Sequence, residues 1–232
     1  MSMLKPPKSA TTNRPDVQAD ALTSAYATSW SLWDQYRTLI IGIGVAVVVI
    51  GLATFAYINW STGKDEEAAK LLGGALTAYE AGDFAVALEG TVDEPGLLAI
   101  ADDYGATPTG NLAAFYAADA LMQLERYDEA LTYFDRYDAE DDIIGASALA
   151  GEAAIYEQQG DAGQAARLYR RAADMYEGVS APDYLLAAAR NYEALGDFDA
   201  AARVYDAIEA QYDESSAAAN LGFYRARLDA MR

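Results

Sequence analysis

The sequence predicts an all-α protein in which one N-terminal transmembrane helix is followed by a superhelical, solenoid-like array of helical hairpins. One observation behind this prediction is an uncharged apolar segment of 20 residues, 39–58. The other is a phrase built on a tyrosine, a Gly-Asp corner and an alanine, which recurs about every 35 residues in the rest of the chain. Segments of the first kind span membranes, and a fixed period of the second kind is typical of stacked helical repeats.

The apolar segment reads LIIGIGVAVVVIGLATFAYI and would form a helix about 30 Å long, the hydrocarbon thickness of a bilayer. Trp33 and Tyr36 precede it and Tyr57 and Trp60 follow it, which is the placement expected of aromatic residues at membrane interfaces. The 38 residues in front of the segment are too many for the charged region of a cleaved signal peptide. We therefore predict a retained transmembrane helix over 38–59.

The residues ahead of this helix divide into two parts. Residues 1–16 are rich in Pro, Ser and Thr and predict a disordered tail. Residues 17–37 carry apolar side chains near helical spacing, which predicts an amphipathic juxtamembrane helix or a continuation of the transmembrane helix. Close to the helix, Arg37 stands on one side against Lys64 and Lys70 on the other. Lys5, Lys8 and Arg14 tilt the total toward a cytoplasmic N-terminus, because positive charge accumulates on that side of a membrane.

The charge of the chain is concentrated after the transmembrane segment. Residues 1–58 contain 4 Lys and Arg against 3 Asp and Glu, whereas residues 59–232 contain 12 against 33. So acidic a surface repels phosphate backbones, and we expect no nucleic-acid binding. Solubility and adaptation to a saline environment both explain such a surface, and the sequence does not choose between them.

The repeated phrase occurs four times after the transmembrane segment. It reads YEAGDFAVAL at 79–88, LMQLERYDEAL at 121–131, IYEQQGDAGQA at 155–165 and NYEALGDFDAA at 191–201. Gly160 and Gly196 mark corners at which the chain needs a left-handed residue between two helices, and the aspartate that follows each glycine caps the second helix. We expect small residues to lie at the close helix contacts and aromatic residues to fill the space between hairpins. The small residues are Ala87, Ala130, Ala165 and Ala201, and the aromatic residues are Tyr133, Phe134, Tyr169 and Tyr205.

Two segments depart from the period. Residues 90–110 are an insertion between the first two copies, for which we expect a loop with a short helix. Residues 214–232 have apolar side chains on one face and predict a terminal capping helix, which repeat arrays need at their ends. The array with its cap is therefore expected over 60–232.

The repeated phrase resembles the tetratricopeptide repeat, although no tryptophan stands at the usual early position and no proline closes a copy. With the transmembrane helix in front, the chain is similar to the bacterial single-pass, envelope-facing tetratricopeptide proteins that include the ancillary subunit of the Sec translocon. This resemblance implies a cytoplasmic N-terminus and a periplasmic array at the inner membrane. It also implies work as an adaptor or chaperone, with translocon subunits or exported polypeptides as partners.

Catalytic and metal-binding motifs are not found. The chain has no His and no Cys, which removes imidazole bases, thiol nucleophiles and the usual zinc ligands. The acidic stretch DRYDAEDDIIG at 135–145 has Glu140 and Ala146 where a calcium-binding loop starting at its first residue needs Gly and Glu. We predict no catalytic residue, cofactor or metal, and hence no enzyme.

Partner binding is expected in the concave groove, which the first helix of each repeat lines. The predicted groove residues are Phe115, Asp119, Met122, Glu157, Asp183, Leu186, Arg190 and Glu193. Their mixture of apolar and acidic groups suits a segment with basic and apolar side chains. In the alternative interpretation several of them pack against the neighbouring repeat.

A structural role is the alternative function. In that case the array bridges envelope components or assembles with itself and binds no client. Gly42 and Ala46 have the spacing that lets two transmembrane helices pack closely, so a homo-oligomer is one form of this alternative.

Overall fold

The computed structural model describes residues 17–232, with side chains described at 36–39 and 41–232. The predicted disordered tail, 1–16, lies outside the described residues. The regular secondary structure of the described range is α-helical, and no strand forms there beyond an isolated bridge between Gly90 and Pro95. The helices are α1 Val17–Glu80, α2 Phe84–Glu89, α3 Leu97–Tyr104, α4 Pro108–Gln123, α5 Tyr127–Arg136, α6 Ile143–Gln158, α7 Ala162–Met175, α8 Ala181–Ala194, α9 Phe198–Gln211, α10 Ser216–Ala219 and α11 Leu221–Met231.

The chain divides into two units, with the boundary between Ile58 and Asn59. In the first unit, the predicted juxtamembrane and transmembrane segments both belong to α1. The described side chains of the apolar segment are exposed; Leu52 is 65 % and Phe55 71 % exposed. By length and composition, the part of α1 from Tyr36 onward is long and apolar enough to cross a membrane.

In the second unit, residues 59–232, helices that follow each other in the chain pack together. Among these contacts α4 packs on α5, α6 on α7, α7 on α8 and α8 on α9. Connections of three residues join α1 to α2, α4 to α5, α6 to α7 and α8 to α9. Because helices joined so closely must reverse direction in order to pack, each of the last three pairs is a helical hairpin.

The predicted left-handed corners are confirmed. Gly82, Gly160 and Gly196 have φ values of 81°, 81° and 75°, and Glu125 takes the same place in the second copy with φ 59°. Glycine enters this region freely, whereas a residue with a Cβ is strained there. At the last corner the amide of Asp197 donates a hydrogen bond of 2.9 Å to the carbonyl of Tyr192 and so satisfies the end of α8.

Aspartates cap two of the second helices, as expected. The Asp161 carboxylate accepts a hydrogen bond of 3.0 Å from the Gln164 amide, and Asp197 accepts one of 3.0 Å from the Ala200 amide. Asp83 makes no such side-chain bond to α2. The capping prediction therefore holds at the third and fourth corners.

The alanines of the repeated phrase lie where the helices come closest. Ala87, Ala130, Ala165 and Ala201 are all 0 % exposed. Tyr205 is also fully buried, and Phe134 and Tyr169 are nearly so. Small and aromatic side chains thus share the core as the repeat predicts.

Of the two segments outside the period, the insertion contains the predicted short helix, and the C-terminal segment contains a helix break that was not predicted. The insertion holds α3, and α4 then starts so close to it that a Cβ on Gly110 would lie 1.9 Å from the Tyr104 carbonyl oxygen. The C-terminal segment, predicted as one helix, is divided into α10 and α11 at Asn220. Ser215 starts α10 by accepting a hydrogen bond of 3.1 Å from the Ala218 amide.

Candidate functional site

Two of the predicted groove residues, Arg190 and Glu193, line one open cavity. The cavity has a volume of about 290 Å³ and is completed by Ala194, Arg227 and Met231. Arg190, Glu193 and Ala194 belong to α8 and lie within about one turn of each other. Arg227 and Met231 belong to α11. Charged groups and short apolar groups therefore meet on this surface.

Glu193 is buried although it carries a carboxylate. Tyr205 on α9 donates a hydrogen bond of 2.7 Å to its Oε1, and Arg227 on α11 donates one to Oε2. Burial, and then the neighbouring Glu193, raise the pKa of the Tyr205 hydroxyl. Since both carboxylate oxygens are occupied, Glu193 serves to hold three helices together.

Arg190 differs from Arg227 in having no ion pair within the described part of the chain. Its side chain is exposed. Burial raises the pKa of Tyr169, and the charge of Arg190 opposes that rise. A guanidinium carries five donors that can reach a carboxylate or carbonyl oxygens of a partner. Arg190 is thus the group of this cavity that is available to an incoming chain.

Glu157 and Tyr169 form the same pair in the preceding repeat. The hydroxyl of Tyr169 donates to Oε2 of Glu157 at 3.0 Å, and the two residues are 12 positions apart, as Glu193 and Tyr205 are. Burial, followed by the charge of Glu157, raises the pKa of Tyr169. This recurrence places Glu157 in the contact between the two helices of its own hairpin.

Phe115, Asp119 and Met122 on α4 take part in packing. Phe115 is half-buried, and its ring lies 5.7 Å from that of Tyr137. Asp119 accepts a hydrogen bond from the hydroxyl of Tyr79, and Met122 packs against the core around α4. The contact of Asp119 is with the preceding repeat, as the alternative interpretation expects, whereas that of Phe115 is with its own repeat.

Leu186 and Asp183 on α8 lie apart from the Arg190 cavity. Leu186 is half-buried against the core between α8 and α9. Asp183 is exposed and lines a different cavity, near Tyr212. Neither Asp183 nor Leu186 lines the Arg190 cavity.

Sequence reasoning missed Arg227 and Met231 because it treated α11 only as a cap. It also missed the hydroxyl of Tyr205 as the partner of Glu193. The recurring spacing of 12 residues between glutamate and tyrosine was the available signal for that pair. No comparable spacing indicates Arg227, whose contact depends on the path of the chain after α9.

The densest acidic stretch has a local structural role. Asp142 accepts hydrogen bonds from the amides of Ile144 and Gly145, at 3.0 and 2.8 Å, and so begins α6. Across the described residues, no group of three or more Asp or Glu side chains is placed to hold a metal ion.

Comparison of the chain with protein-family models gave no match, and a search of curated proteins gave none either.

Proposed function

We propose that the protein is a membrane-tethered module for protein–protein interaction, in which residues 59–232 form a tetratricopeptide-like superhelical array. The observation that carries the proposal is that helical hairpins with the same features recur along the chain. Three-residue corners with a left-handed residue, buried alanines and Tyr–Glu pairs return at the repeat spacing. Arrays of this kind offer extended surfaces to polypeptides.

The membrane tether is the apolar part of α1, which is long and apolar enough to span a bilayer. We place the N-terminus in the cytoplasm and the array on the periplasmic side of a bacterial inner membrane, following the basic residues near the N-terminus and the resemblance to envelope-facing tetratricopeptide proteins. By that resemblance the partners are subunits of the Sec translocon or exported polypeptides, and the protein acts as an adaptor or chaperone.

The test is photocrosslinking in bacterial cells that produce the full chain. A photoreactive residue replaces Arg190 or Ala194, which are exposed in the same cavity, and a control replaces Arg203, which is exposed on α9. We expect translocon subunits or several exported chains attached at the first two positions and little at the third. Equal labelling at all three positions, or none at Arg190 and Ala194, would overturn the proposal.

The structural alternative makes a different prediction. A scaffold that binds no client is expected to form a homo-oligomer in mild detergent, through close packing at Gly42 or through the array. Replacing Gly42 by isoleucine would break an oligomer that depends on the transmembrane helix. Within the single chain nothing lies within 4 Å of the added Cβ, so the substitution would disturb the contact between chains and not the helix itself. A stable oligomer that persists when Arg190 is replaced would favour the scaffold.

A further inference from the structure

Two cavities of related composition lie at the end of the helical hairpins opposite to the three-residue corners. The first, about 360 Å³, is formed by the start of α4 and the residues that follow α5. The second, about 400 Å³, is formed by the start of α8 and the residues that follow α9. Each therefore lies where the first helix of a hairpin begins and the second helix has just ended.

The linings of the two cavities share an aromatic and apolar part. Tyr137 lines the first cavity and Tyr212 the second, and each tyrosine stands directly after the last residue of its helix. Pro108, in the first turn of α4, is exposed at the first cavity, whereas Pro182, in the first turn of α8, is buried. A flat ring beside a proline offers an apolar surface to a side-chain stem.

The polar part of both linings is negatively charged. Asp138 and Glu140 line the first cavity, and Asp183, Asp213 and Glu214 line the second. Neither lining contains Lys or Arg among the residues that the structure describes. This sets both cavities apart from the Arg190 cavity, where Glu193 is already neutralised.

Both tyrosines have carboxylates near them. Burial, followed by the charges of Asp142, Glu140 and Asp138, raises the pKa of Tyr137. Burial and the charges of Glu177 and Asp174 raise that of Tyr212. A cation placed at either ring gains from the ring face and from the carboxylates together.

Exposed apolar side chains also lie at this end of the hairpins. Val179, which lines the second cavity, is 93 % exposed, and Tyr176, directly after α7, is 39 % exposed. Exposed apolar side chains next to carboxylates complement a segment in which basic and apolar residues alternate. The excess of acidic over basic residues in 59–232, 33 against 12, attracts such a segment from a distance.

We propose that this end of the hairpins binds an extended polypeptide segment with alternating basic and apolar residues, and that each cavity receives one Lys or Arg side chain. The stem of that side chain packs on the tyrosine, and at the first cavity also on Pro108, and its cationic head pairs with the carboxylates. The inference rests on the proposed function, since it names the chemistry of the partner. It adds a second contact surface to that of the Arg190 cavity.

The binding test uses the full chain in a non-ionic detergent and a fluorescent peptide of alternating Lys and Leu. Fluorescence anisotropy measures its affinity, and a peptide of alternating Glu and Leu is the charge control. We expect the Lys peptide to bind, the Glu peptide not to bind, and the affinity to fall as salt is raised from about 0.05 to about 0.5 M. Equal binding of both peptides would overturn the proposal.

Variants then locate the binding surface. The pairs D138N/E140Q and D213N/E214Q each remove two charges from one cavity, and E66Q/E80Q removes two exposed charges elsewhere as a matched control. We expect each cavity pair to weaken binding about five- to tenfold and the control to weaken it less than twofold. V179S, which changes an exposed side chain and no charge, is expected to weaken it about two- to threefold. Equal losses in the control and cavity pairs would show a general charge effect and refute the assignment.

Crosslinking separates failure of this inference from failure of the proposed function. With photoreactive residues at Val179 and at Arg190, a polypeptide attached at Arg190 together with a basic segment of a partner chain attached at Val179 supports the inference. If a polypeptide is attached at Arg190 and none at Val179, the interaction module stands and the second surface is wrong. If neither position attaches a polypeptide, both proposals fail.

Discussion

The hydroxyl of Tyr205 donates a hydrogen bond of 2.7 Å to the carboxylate of Glu193, 12 residues earlier in the chain. Both groups are buried, and the second carboxylate oxygen accepts a hydrogen bond from Arg227. The hydrogen bond from Tyr205 joins the end of α8 to the middle of α9, and the hydrogen bond from Arg227 joins both helices to α11. The hydrogen bond from Tyr169 to Glu157 repeats its first half one hairpin earlier.

Replacing Tyr205 by phenylalanine tests the importance of this contact. The variant leaves the buried Glu193 with one partner fewer, so we expect the free energy of unfolding to fall by about 1–2 kcal/mol. The matched control is Tyr133→Phe, whose hydroxyl makes a longer bond of 3.4 Å to the exposed Asp102; its loss is expected to be under about 0.5 kcal/mol. Denaturant unfolding of the full chain in detergent, followed by circular dichroism, measures both, and equal losses would contradict the assignment.

Alkaline pH is expected to destabilise the second unit through its buried tyrosines. The pKa values of Tyr79, Tyr169 and Tyr205 are raised above the ordinary 10.0, first by burial and then by the neighbouring carboxylates. The folded chain therefore holds these protons more tightly than the unfolded chain. The stabilisation is fully present below pH 10 and is lost as the pH rises above it.

The measurement is the free energy of unfolding between about pH 9 and about pH 11. We expect a steep decrease above pH 10, and a shallower one when all three tyrosines are replaced by phenylalanine. The variant is less stable at neutral pH, so the slopes rather than the absolute values are compared. Identical slopes would show that these hydroxyls do not control alkaline unfolding.

The corner residues are predicted to respond to substitution with opposite signs. Gly196→Ala places a Cβ on a residue with φ 75°, so we expect a loss of about 1–2 kcal/mol. Glu125→Gly removes the same strain from the second corner, where φ is 59°, and is expected to stabilise by a few tenths of a kcal/mol to about 1 kcal/mol. Gly163→Ala inside α7, where the new Cβ meets no atom closer than 3.4 Å, controls for the change of side chain and is expected to stabilise. Destabilisation by Glu125→Gly would contradict the strain argument.

The buried alanines set how closely the helices approach. Ala165 and Ala201 are 0 % exposed, so replacing either by leucine is expected to destabilise by about 1–3 kcal/mol through overpacking. Ala210→Leu on the exposed side of α9 is the matched control and is expected to stay within about 0.5 kcal/mol. Thermal unfolding of the three variants tests this, and a tolerated Ala165→Leu would show that the helices at that contact are not closely packed.

Local requirements explain which features the sequence could predict. A left-handed corner needs glycine and a close helix contact needs alanine, so Gly160, Gly196 and Ala165 could be placed from single residues. Contacts between distant elements depend on the angles at which helices cross, which single residues do not determine. The pairing of Glu193 with Arg227 and the packing of Phe115 are of this kind.

The divided C-terminal segment has a similar cause. Its apolar period predicts helix throughout 214–232, but Ser215 begins one short helix and Asn220 separates it from the next. The side chains of Ser and Asn form hydrogen bonds with nearby backbone groups in competition with the helix, so a helix can begin or end where they occur. The sequence could therefore predict that these residues interrupt a helix. The position of α11 beside α9 depends on tertiary contacts.

Protease treatment of spheroplasts tests most directly the central claim that α1 tethers the second unit to the outer face of a bacterial inner membrane. A tag at the N-terminus and a second tag at the C-terminus report the two sides, and detergent-treated spheroplasts show that both tags can be cleaved. We predict loss of the C-terminal tag and of most of residues 59–232, with the N-terminal tag kept on a membrane fragment that alkaline carbonate does not extract. Protection of the C-terminal tag in intact spheroplasts, or release of the fragment by carbonate, would contradict it.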